Sequence, residues 1–398
     1  MKRYITIMTV FFAAAALFAQ SDEMTMWNDL YNGADTVEGR LVVLQQVADS
    51  SPSGSTELFA RALDQLVKAY PDIKDKNELN TADRTAILLA RALGDARLPD
   101  AAPSLWLVVQ TFQGGQDYAI ARSEALVALG KIKAELYLPQ VVQLLTDLNS
   151  RPPQDRNIQI QNERIAYGAI ISLENYGEPS GYLPVFFAST GWYSERIKTQ
   201  ASVSLPRILD DPTEPLIQIV TSPGYSYEIK HLALRTEERS QAPEPSKARA
   251  ALSALTEGWK ASTNDVHQRN ELSQMRKLSI SMIRRYGMDD AAVYPQLDNS
   301  YKRGLDMQEK LDTVRTLGTL GTEDAARLLA SYVADLHQRR QAGSLTRDDE
   351  SLIREVIPAL GQTKKSLGRP VLFLVQNSTT WTGAIQRLAA QAISELTQ

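Results

Sequence analysis

Apolar residues in the stretch 124–148 recur at spacings of three and four, in two separate runs. The first run ends near Gly130 and the second begins near Pro139, with polar residues between them. A spacing of three and four places side chains on one face of a helix, so each run predicts an amphipathic helix. Glycine relieves steric conflict at a turn, and proline suits the first turn of a helix. The stretch therefore predicts two short helices folded into a hairpin.

The same pattern recurs along the chain as Ala-Leu-Gly or a variant of it, a short polar turn and a second apolar run that is usually led by proline. Aligned on Ala128, the copies begin at 92, 128, 172, 204, 282, 316 and 359, and the wide gap after 204 has room for one degenerate copy. No alternation typical of strands is long enough to build a sheet, so the chain is predicted to be all-α. The helical pairs are expected near 80–114, 118–149, 160–190, 195–222, 226–263, 270–300, 305–341 and 347–377, with a terminal helix at 383–398.

A helix–turn–helix unit that recurs every 30–47 residues or so is typical of an α-solenoid. The Ala-Leu-Gly, the polar turn and the proline-led second helix resemble HEAT repeats over residues 80–398, in particular the short bacterial, phycobilisome-lyase-like kind. The resemblance implies an armadillo-like fold, a right-handed α-solenoid of about eight hairpins whose second helices line a concave face. Residues 20–79 are expected to form a linker and a capping helical pair.

The N-terminus has the features of an export signal. Lys2 and Arg3 are basic, an apolar run extends from Ile5 to Phe18, and Ala19 precedes the expected cleavage point. The run is shorter than the roughly 20 residues that a spanning helix needs. We therefore expect residues 1–19 to be a cleaved signal peptide and the mature chain to be periplasmic or secreted. The alternative is an uncleaved membrane anchor, whereas a lipoprotein is excluded because the chain has no cysteine.

Composition removes several classes of function. The net charge of −4 argues against binding to nucleic acid, which needs clustered cations. The absence of cysteine excludes disulfides, thiolate catalysis and cysteine-ligated metals. The histidines His231, His267 and His337 are too far apart in sequence to pair at helical ligand spacing, and the last two are expected on exposed helix surfaces among polar neighbours. No cofactor is predicted.

Two acidic stretches resemble functional sites without matching them. The stretch 298–309 has acidic residues at three positions of a calcium loop, but Lys302 stands where an oxygen ligand belongs and Arg303 where glycine is needed. It predicts a loop with a helix starting near Asp306. The carboxylates after Thr346 are those expected at a helix N-terminus. With no serine in a glycine elbow and no phosphate-binding loop, no catalytic residue and no metal site is predicted, and the chain is not expected to be an enzyme.

Two surfaces are candidates for binding another protein. Aromatic residues in loops of successive units could form one patch, since such loops align along an edge of a repeat array; rings folded back over the helix ends are the alternative. Polar residues of the second helices would lie on the concave face. The candidate residues are Trp192, Tyr193, Tyr225 and Tyr227 for the aromatic edge, and Gln140, Gln143 and Arg327 for the concave face.

The sequence thus predicts an exported, non-catalytic scaffold that binds a protein partner and does not span the membrane after cleavage. The alternative is a small-molecule-binding protein or lyase-like enzyme on the same fold, which the phycobilisome-lyase-like resemblance implies. A closed pocket with several convergent polar groups would favour this alternative, and an open groove would favour the scaffold.

Overall fold

The structure is a computed structural model that describes residues 23–304 and 306–396. Within these ranges the chain forms α-helices and short 3₁₀ turns, and no strand is present. The all-α prediction is confirmed. Among the described helices none is long and apolar enough to cross a membrane. The export signal predicted over residues 1–19 lies outside the described residues.

The helices follow one another with short connections. In chain order they are α1 (23–33), α2 (Val37–Ser50), α3 (Ser55–Ala69), α4 (Lys76–Asp95), α5 (Ala102–Thr111), α6 (Tyr118–Ile132), α7 (Leu138–Ser150), α8 (Arg156–Tyr176), α9 (Tyr182–Thr190), α10 (Glu195–Ile208), α11 (Thr213–Thr221), α12 (Tyr227–Arg239), α13 (Glu244–Lys260), α14 (Val266–Tyr286), α15 (Val293–Arg303), α16 (Met307–Leu320), α17 (Glu323–Gln341), α18 (Arg347–Gln362), α19 (Arg369–Asn377) and α20 (Gly383–Glu395).

The chain divides into two compact units between Leu209 and Asp210. In the first unit, the helices α2, α4, α6, α8 and α10 each pack on the next. In the second unit, α12, α14, α16, α18 and α20 pack in the same way, and α11, α13, α15, α17 and α19 form a second row. Each unit is therefore a stack of helical hairpins, with the first helices forming one layer.

Capping side chains fix where many first helices begin. Side-chain oxygens accept backbone N–H bonds at the N-termini of α4, α8, α14, α16 and α18, and they belong to Asp75, Asp155, Asp265, Asp306 and Thr346. Such bonds satisfy amide groups that have no partner within the helix. Thr346 and Asp349 form a reciprocal capping box, which confirms the helix start predicted there.

The role predicted for Gly130 is wrong. Gly130 lies inside α6, and the residue with a left-handed backbone at the end of that helix is Lys133, at a φ of 56°. A Cβ atom at position 130 would lie 2.6 Å from the carbonyl oxygen of Ser172 and 2.7 Å from its Cα. Glycine is needed at this position because α6 and α8 approach too closely for any side chain.

The same close approach joins other hairpins. The third residue of the Ala-Leu-Gly motif meets the first residue of the motif in the next hairpin, and a Cβ on the glycine would lie 2.9–3.1 Å from a backbone Cα. These pairs are Gly94 with Ala128 and Gly318 with Ala359, and Gly361 meets Ala392 of the terminal helix α20 in the same way. Where Glu174 replaces the glycine, its carboxylate instead accepts a 2.5 Å hydrogen bond from the Ser204 hydroxyl. The motif marks the crossing point of neighbouring first helices.

The backbone conformation of the turn also repeats, at the same position relative to the motif in successive hairpins. In six hairpins the fifth residue after the start of the motif has a positive φ: Arg97, Lys133, Gly177, Gly287, Gly321 and Lys364. The central leucine of the motif is fully buried at Leu93, Leu129, Leu173, Leu317 and Leu360. The three-residue motif and the following turn therefore act as one structural unit.

Candidate binding site

The predicted aromatic edge is not formed as a surface at Trp192 and Tyr193. Tyr193 is only 2% exposed, and its ring stacks on that of Trp192 at a centroid distance of 4.1 Å. The indole N–H of Trp192 donates a 3.0 Å hydrogen bond to the carbonyl of Leu148, at the end of α7. Both rings fold onto helix ends because burying them there satisfies the indole nitrogen and removes apolar area from water.

Tyr225 and Tyr227 belong to the other compact unit and are half-buried. The ammonium group of Lys230 lies 5.7 Å from the centroid of the Tyr227 ring. Lys230 is itself buried and forms a 2.9 Å ion pair with Glu257. Tyr227 thus covers a buried ion pair between α12 and α13.

The residues predicted for the concave face are exposed. Gln140 and Gln143 lie on α7, where the Gln143 amide donates a 2.9 Å hydrogen bond to Asp147. Arg327 lies on α17 and forms a 2.5 Å ion pair with Asp324. These residues are accessible, as binding requires, although an exposed ion pair of this kind contributes little energy.

An apolar surface lies beside the two glutamines in the first unit. Leu136 is 74% exposed and Leu107 is also exposed, and the neighbouring rings of Trp106 and Tyr137 lie 5.8 Å apart. Two of the four residues lie on α5 and two in the 3₁₀ turn that precedes α7, and the ring contact links the two pairs. We name Trp106, Leu107, Leu136 and Tyr137 the Leu136 surface.

One histidine prediction is wrong. His337 is 8% exposed rather than on the surface, because its Nδ1 accepts a 2.9 Å hydrogen bond from the indole N–H of Trp381. Trp381 is also buried, in the turn before α20. His267 is exposed as predicted, and Nδ1 of His231 lies 3.1 Å from a carboxylate oxygen of Glu271.

The acidic stretch 298–309 does not form a calcium loop. Asp298 lies on α15, where it accepts a 3.0 Å hydrogen bond from the Tyr332 hydroxyl, and Asp306 caps α16. Glu309 points into the interior. The helix start predicted near Asp306 is confirmed, but the loop predicted before it is wrong over 298–303, which belong to α15.

A cleft of about 540 Å³ in the second unit brings together groups that the sequence did not single out. Its lining comes from the end of α13, the following loop, the first half of α14 and the end of α15. The volume falls in the range of roughly 300–1,000 Å³ that is usual for ligand sites. Polar groups that converge on it include Ser262, Thr263, Asn270, Ser273 and Gln274.

The indole of Trp259 organises the cationic side of this cleft. Its ring centroid lies 4.2 Å from the guanidinium carbon of Arg276 and 5.0 Å from that of Arg303. Its N–H donates a 2.9 Å hydrogen bond to the hydroxyl of Ser300, which fixes the orientation of the ring. Guanidinium groups over an indole are held by cation–π attraction, so Trp259 positions both arginines.

The charge of Arg276 is neutralised by Glu309. Its Nε and Nη2 donate hydrogen bonds of 2.8 and 3.1 Å to the two carboxylate oxygens of Glu309, which is 0% exposed. A third bond, of 3.3 Å, runs from Nη1 to the carbonyl of Gly258. The bidentate geometry joins α14 to α16 and compensates for burying two charges.

Two other cations of the cleft are not neutralised. Lys277 forms a 2.8 Å ion pair with Asp306, but Arg269 and Arg303 form no salt bridge with any described residue. Asp306 is the carboxylate among the lining residues. The cleft is therefore locally positive in a chain whose net charge is −4.

A second cleft of about 500 Å³ is less strongly positive, with three cations and two carboxylates in its lining. It lies around the stacked rings of Tyr301 and Tyr332, whose centroids are 3.7 Å apart. Arg339 forms ion pairs of 2.9 Å with Asp335 and 3.5 Å with Asp349, all within the lining. Because the two carboxylates of this second cleft already pair with Arg339, and the Trp259 cleft has a larger excess of cations, the Trp259 cleft is the stronger candidate for an anionic ligand.

A buried carboxylate in the first unit holds the loop between α5 and α6. Asp83 accepts hydrogen bonds from the Tyr70 hydroxyl (3.3 Å) and the Asp117 backbone N–H (3.0 Å), and the Tyr70 hydroxyl accepts one from Gly114 N–H (3.2 Å). Burial raises the pKa of Asp83 to about 6, and these hydrogen bonds offset only part of that effect.

We expect this carboxylate to make stability fall as pH rises. A folded-state pKa above the unfolded value near 3.8 means that the contribution is fully present below pH 3.8 and is lost as pH passes 6. The loss is on the order of 3 kcal/mol. Urea denaturation between about pH 4 and 8 should show that Asp83→Asn is relatively more stable at the alkaline end. The exposed Asp100→Asn variant should follow the wild type; a greater cost of Asp83→Asn at high pH would contradict the prediction.

Comparisons with known proteins identify no family. No protein-family model matches the chain, and none of the curated proteins compared with it matches. A solved structure of human deoxyhypusine hydroxylase in complex with glycerol is similar over 86% of this chain and 98% of that chain, at 16% identity and a TM-score of 0.28.

The prediction that the chain is not an enzyme is contradicted by this comparison, because the matched structure is that of an enzyme. A TM-score of 0.28 is too low to transfer a reaction or a residue role to this chain. The comparison therefore removes that prediction and adds no activity in its place.

Proposed function

We propose that the chain is an exported helical-repeat protein that binds a protein partner through the surface of its second helices. The observation that carries the proposal is the Leu136 surface. Large apolar side chains that are singly exposed are common, but here each of two exposed leucines is next in sequence to one of two neighbouring aromatic rings, on α5 and in the 3₁₀ turn before α7. Aromatic and aliphatic groups at the centre of a surface are typical of protein interfaces.

The surroundings of the Leu136 surface support the proposal. Gln140 and Gln143 are exposed on the same helix, α7, and supply the polar rim that surrounds an interface core. The export part of the proposal rests on the N-terminal sequence, with its basic start and apolar run before Ala19. The likeness to HEAT repeats supports the same function, because stacked repeats present extended surfaces.

Affinity capture tests the protein-binding function. The tagged protein is recovered from its own envelope fraction after mild cross-linking, and partners are identified by mass spectrometry. We expect one protein at near-stoichiometric yield with the wild type, and its loss from a Leu107→Asp/Leu136→Asp variant. Both leucines are exposed, so the substitutions should leave folding intact.

Ile158→Asp provides the matched control, since Ile158 is an exposed apolar residue on the first helix α8. It should retain the partner. Recovery of nothing beyond background, or equal loss with Ile158→Asp, would argue against the proposal. N-terminal sequencing of the recovered protein checks export, because a mature chain should start just after Ala19.

A further inference from the structure

We propose that the Trp259 cleft is a second binding site, which takes an acidic peptide segment by pairing its carboxylates with Arg269 and Arg303. The inference goes beyond the proposed function and stands independently of the Leu136 surface, since the two sites belong to different compact units. It rests on the position, charge and pairing of the groups that line the cleft.

Two cations of the Trp259 cleft are available to a ligand. Arg276 and Lys277 already pair with Glu309 and Asp306. Arg269 and Arg303 are exposed and form no salt bridge with the described residues. Their guanidinium groups keep N–H donors in the fork geometry that fits a carboxylate with two hydrogen bonds.

The guanidinium of Arg303 is held in place before a ligand binds. Arg303 lies over the indole of Trp259, and the indole is held by its hydrogen bond to Ser300. A guanidinium held on a ring has less freedom to lose when it binds a ligand. Stacking on the ring face leaves the N–H edge of the guanidinium available for hydrogen bonds.

The available cations lie far apart along the cleft. Arg269 and Arg276 are seven residues apart on α14, which is about 10 Å along the helix axis. Arg303 contacts the same Trp259 ring as Arg276, so it lies at the Arg276 end of the cleft and not beside Arg269. One small anion does not span this distance. An extended peptide advances about 3.3 Å per residue, so carboxylates three residues apart span about 10 Å and reach both cations.

Fluorescence polarisation of a labelled hexaglutamate peptide, titrated with the purified intact protein at low and at physiological ionic strength, tests the site. We expect saturable binding that weakens with salt. Arg269→Gln and Arg303→Gln should each weaken it roughly tenfold, the loss of one charge-assisted bidentate contact. The affinity of the Arg303→Lys variant should fall between those of the wild type and Arg303→Gln, because lysine keeps the charge and loses the forked pair of N–H donors.

Arg387→Gln is the matched control, since Arg387 is exposed on α20 and forms no salt bridge with the described residues. It should change the affinity by less than about twofold. Equal weakening by Arg387→Gln would mean diffuse attraction to the surface and would overturn the proposal, as would the absence of binding at low salt. Competition by free glutamate or inorganic phosphate as strong as that of the peptide would show a small-anion site and reject the peptide.

Discussion

Replacing Gly130 by alanine is expected to lower the free energy of unfolding by roughly 1–3 kcal/mol. The added Cβ would meet backbone atoms of Ser172 at 2.6–3.0 Å, and backbone cannot rotate away as a flexible side chain can. Alanine favours helix over glycine by about 1 kcal/mol, but this gain is smaller than the cost of forcing α6 and α8 apart. Thermal unfolding of the intact protein, followed by circular dichroism, measures the change.

Gly383→Ala is the control for this prediction. It makes the same substitution at the start of α20, where a Cβ would meet nothing within 4 Å. We expect its melting temperature to equal or slightly exceed that of the wild type. If Gly130→Ala and Gly383→Ala melted together, the close approach of α6 and α8 would not be the reason for the glycine.

Gly168 provides a second test of the close packing between α6 and α8. Gly168 of α8 faces α6, and a Cβ there would lie 2.5 Å from the Ser123 carbonyl oxygen. Gly130→Ala and Gly168→Ala both push the same two helices apart, so the first substitution relieves part of the strain of the second. The double variant should therefore cost less than the sum of the single variants, as expected for sites that share a backbone shift.

The repeat pattern was sufficient to predict an all-α chain, but it did not show why the Ala-Leu-Gly motif recurs in successive hairpins. Spacing places Leu129 in the core, and Leu129 is fully buried. Spacing does not show what faces Gly130, because its partner Ser172 lies in another hairpin. The left-handed turn residue is Lys133, and a lysine gives no signal of a positive φ.

The Trp259 cleft was harder to predict because its parts come from three hairpins. Trp259 ends α13, in the region where the repeat pattern is weakest. Arg276 was the residue that could have indicated this site from the sequence, since it stands among the buried positions of α14, where apolar residues are expected. Glu309 follows it by one repeat length, so a charge at a core position in each of two successive units could have indicated a buried ion pair.

Contacts between distant residues explain why His337 and Trp192 are less exposed than their sequence neighbours suggest. His337 has polar neighbours in the sequence, yet its partner Trp381 lies beyond a whole hairpin. Trp192 similarly bonds to Leu148 of the preceding hairpin. Sequence neighbours indicate exposure only where no distant side chain covers the residue.

Removing the carboxylate of Glu309 is expected to cost about 3–5 kcal/mol, because it leaves the charge of Arg276 without a partner in the interior. Glu309→Gln keeps the shape of the side chain and removes its charge, so the loss reports the ion pair rather than a cavity. Urea denaturation of the intact protein measures it. Asp64→Asn is the control, since it neutralises one member of the exposed pair Lys68–Asp64 and should cost less than about 1 kcal/mol.

Replacing both charges should recover much of this loss, because two apolar side chains leave neither charge buried alone. Arg276→Met/Glu309→Leu is thus expected to be more stable than Glu309→Gln, despite having more substitutions. Single variants that each cost less than about 1 kcal/mol would mean that water reaches the pair, contrary to the full burial of Glu309. The double variant also separates the two roles of the arginines: Arg269 and Arg303 remain, so hexaglutamate should still bind if they, and not Arg276, are its partners.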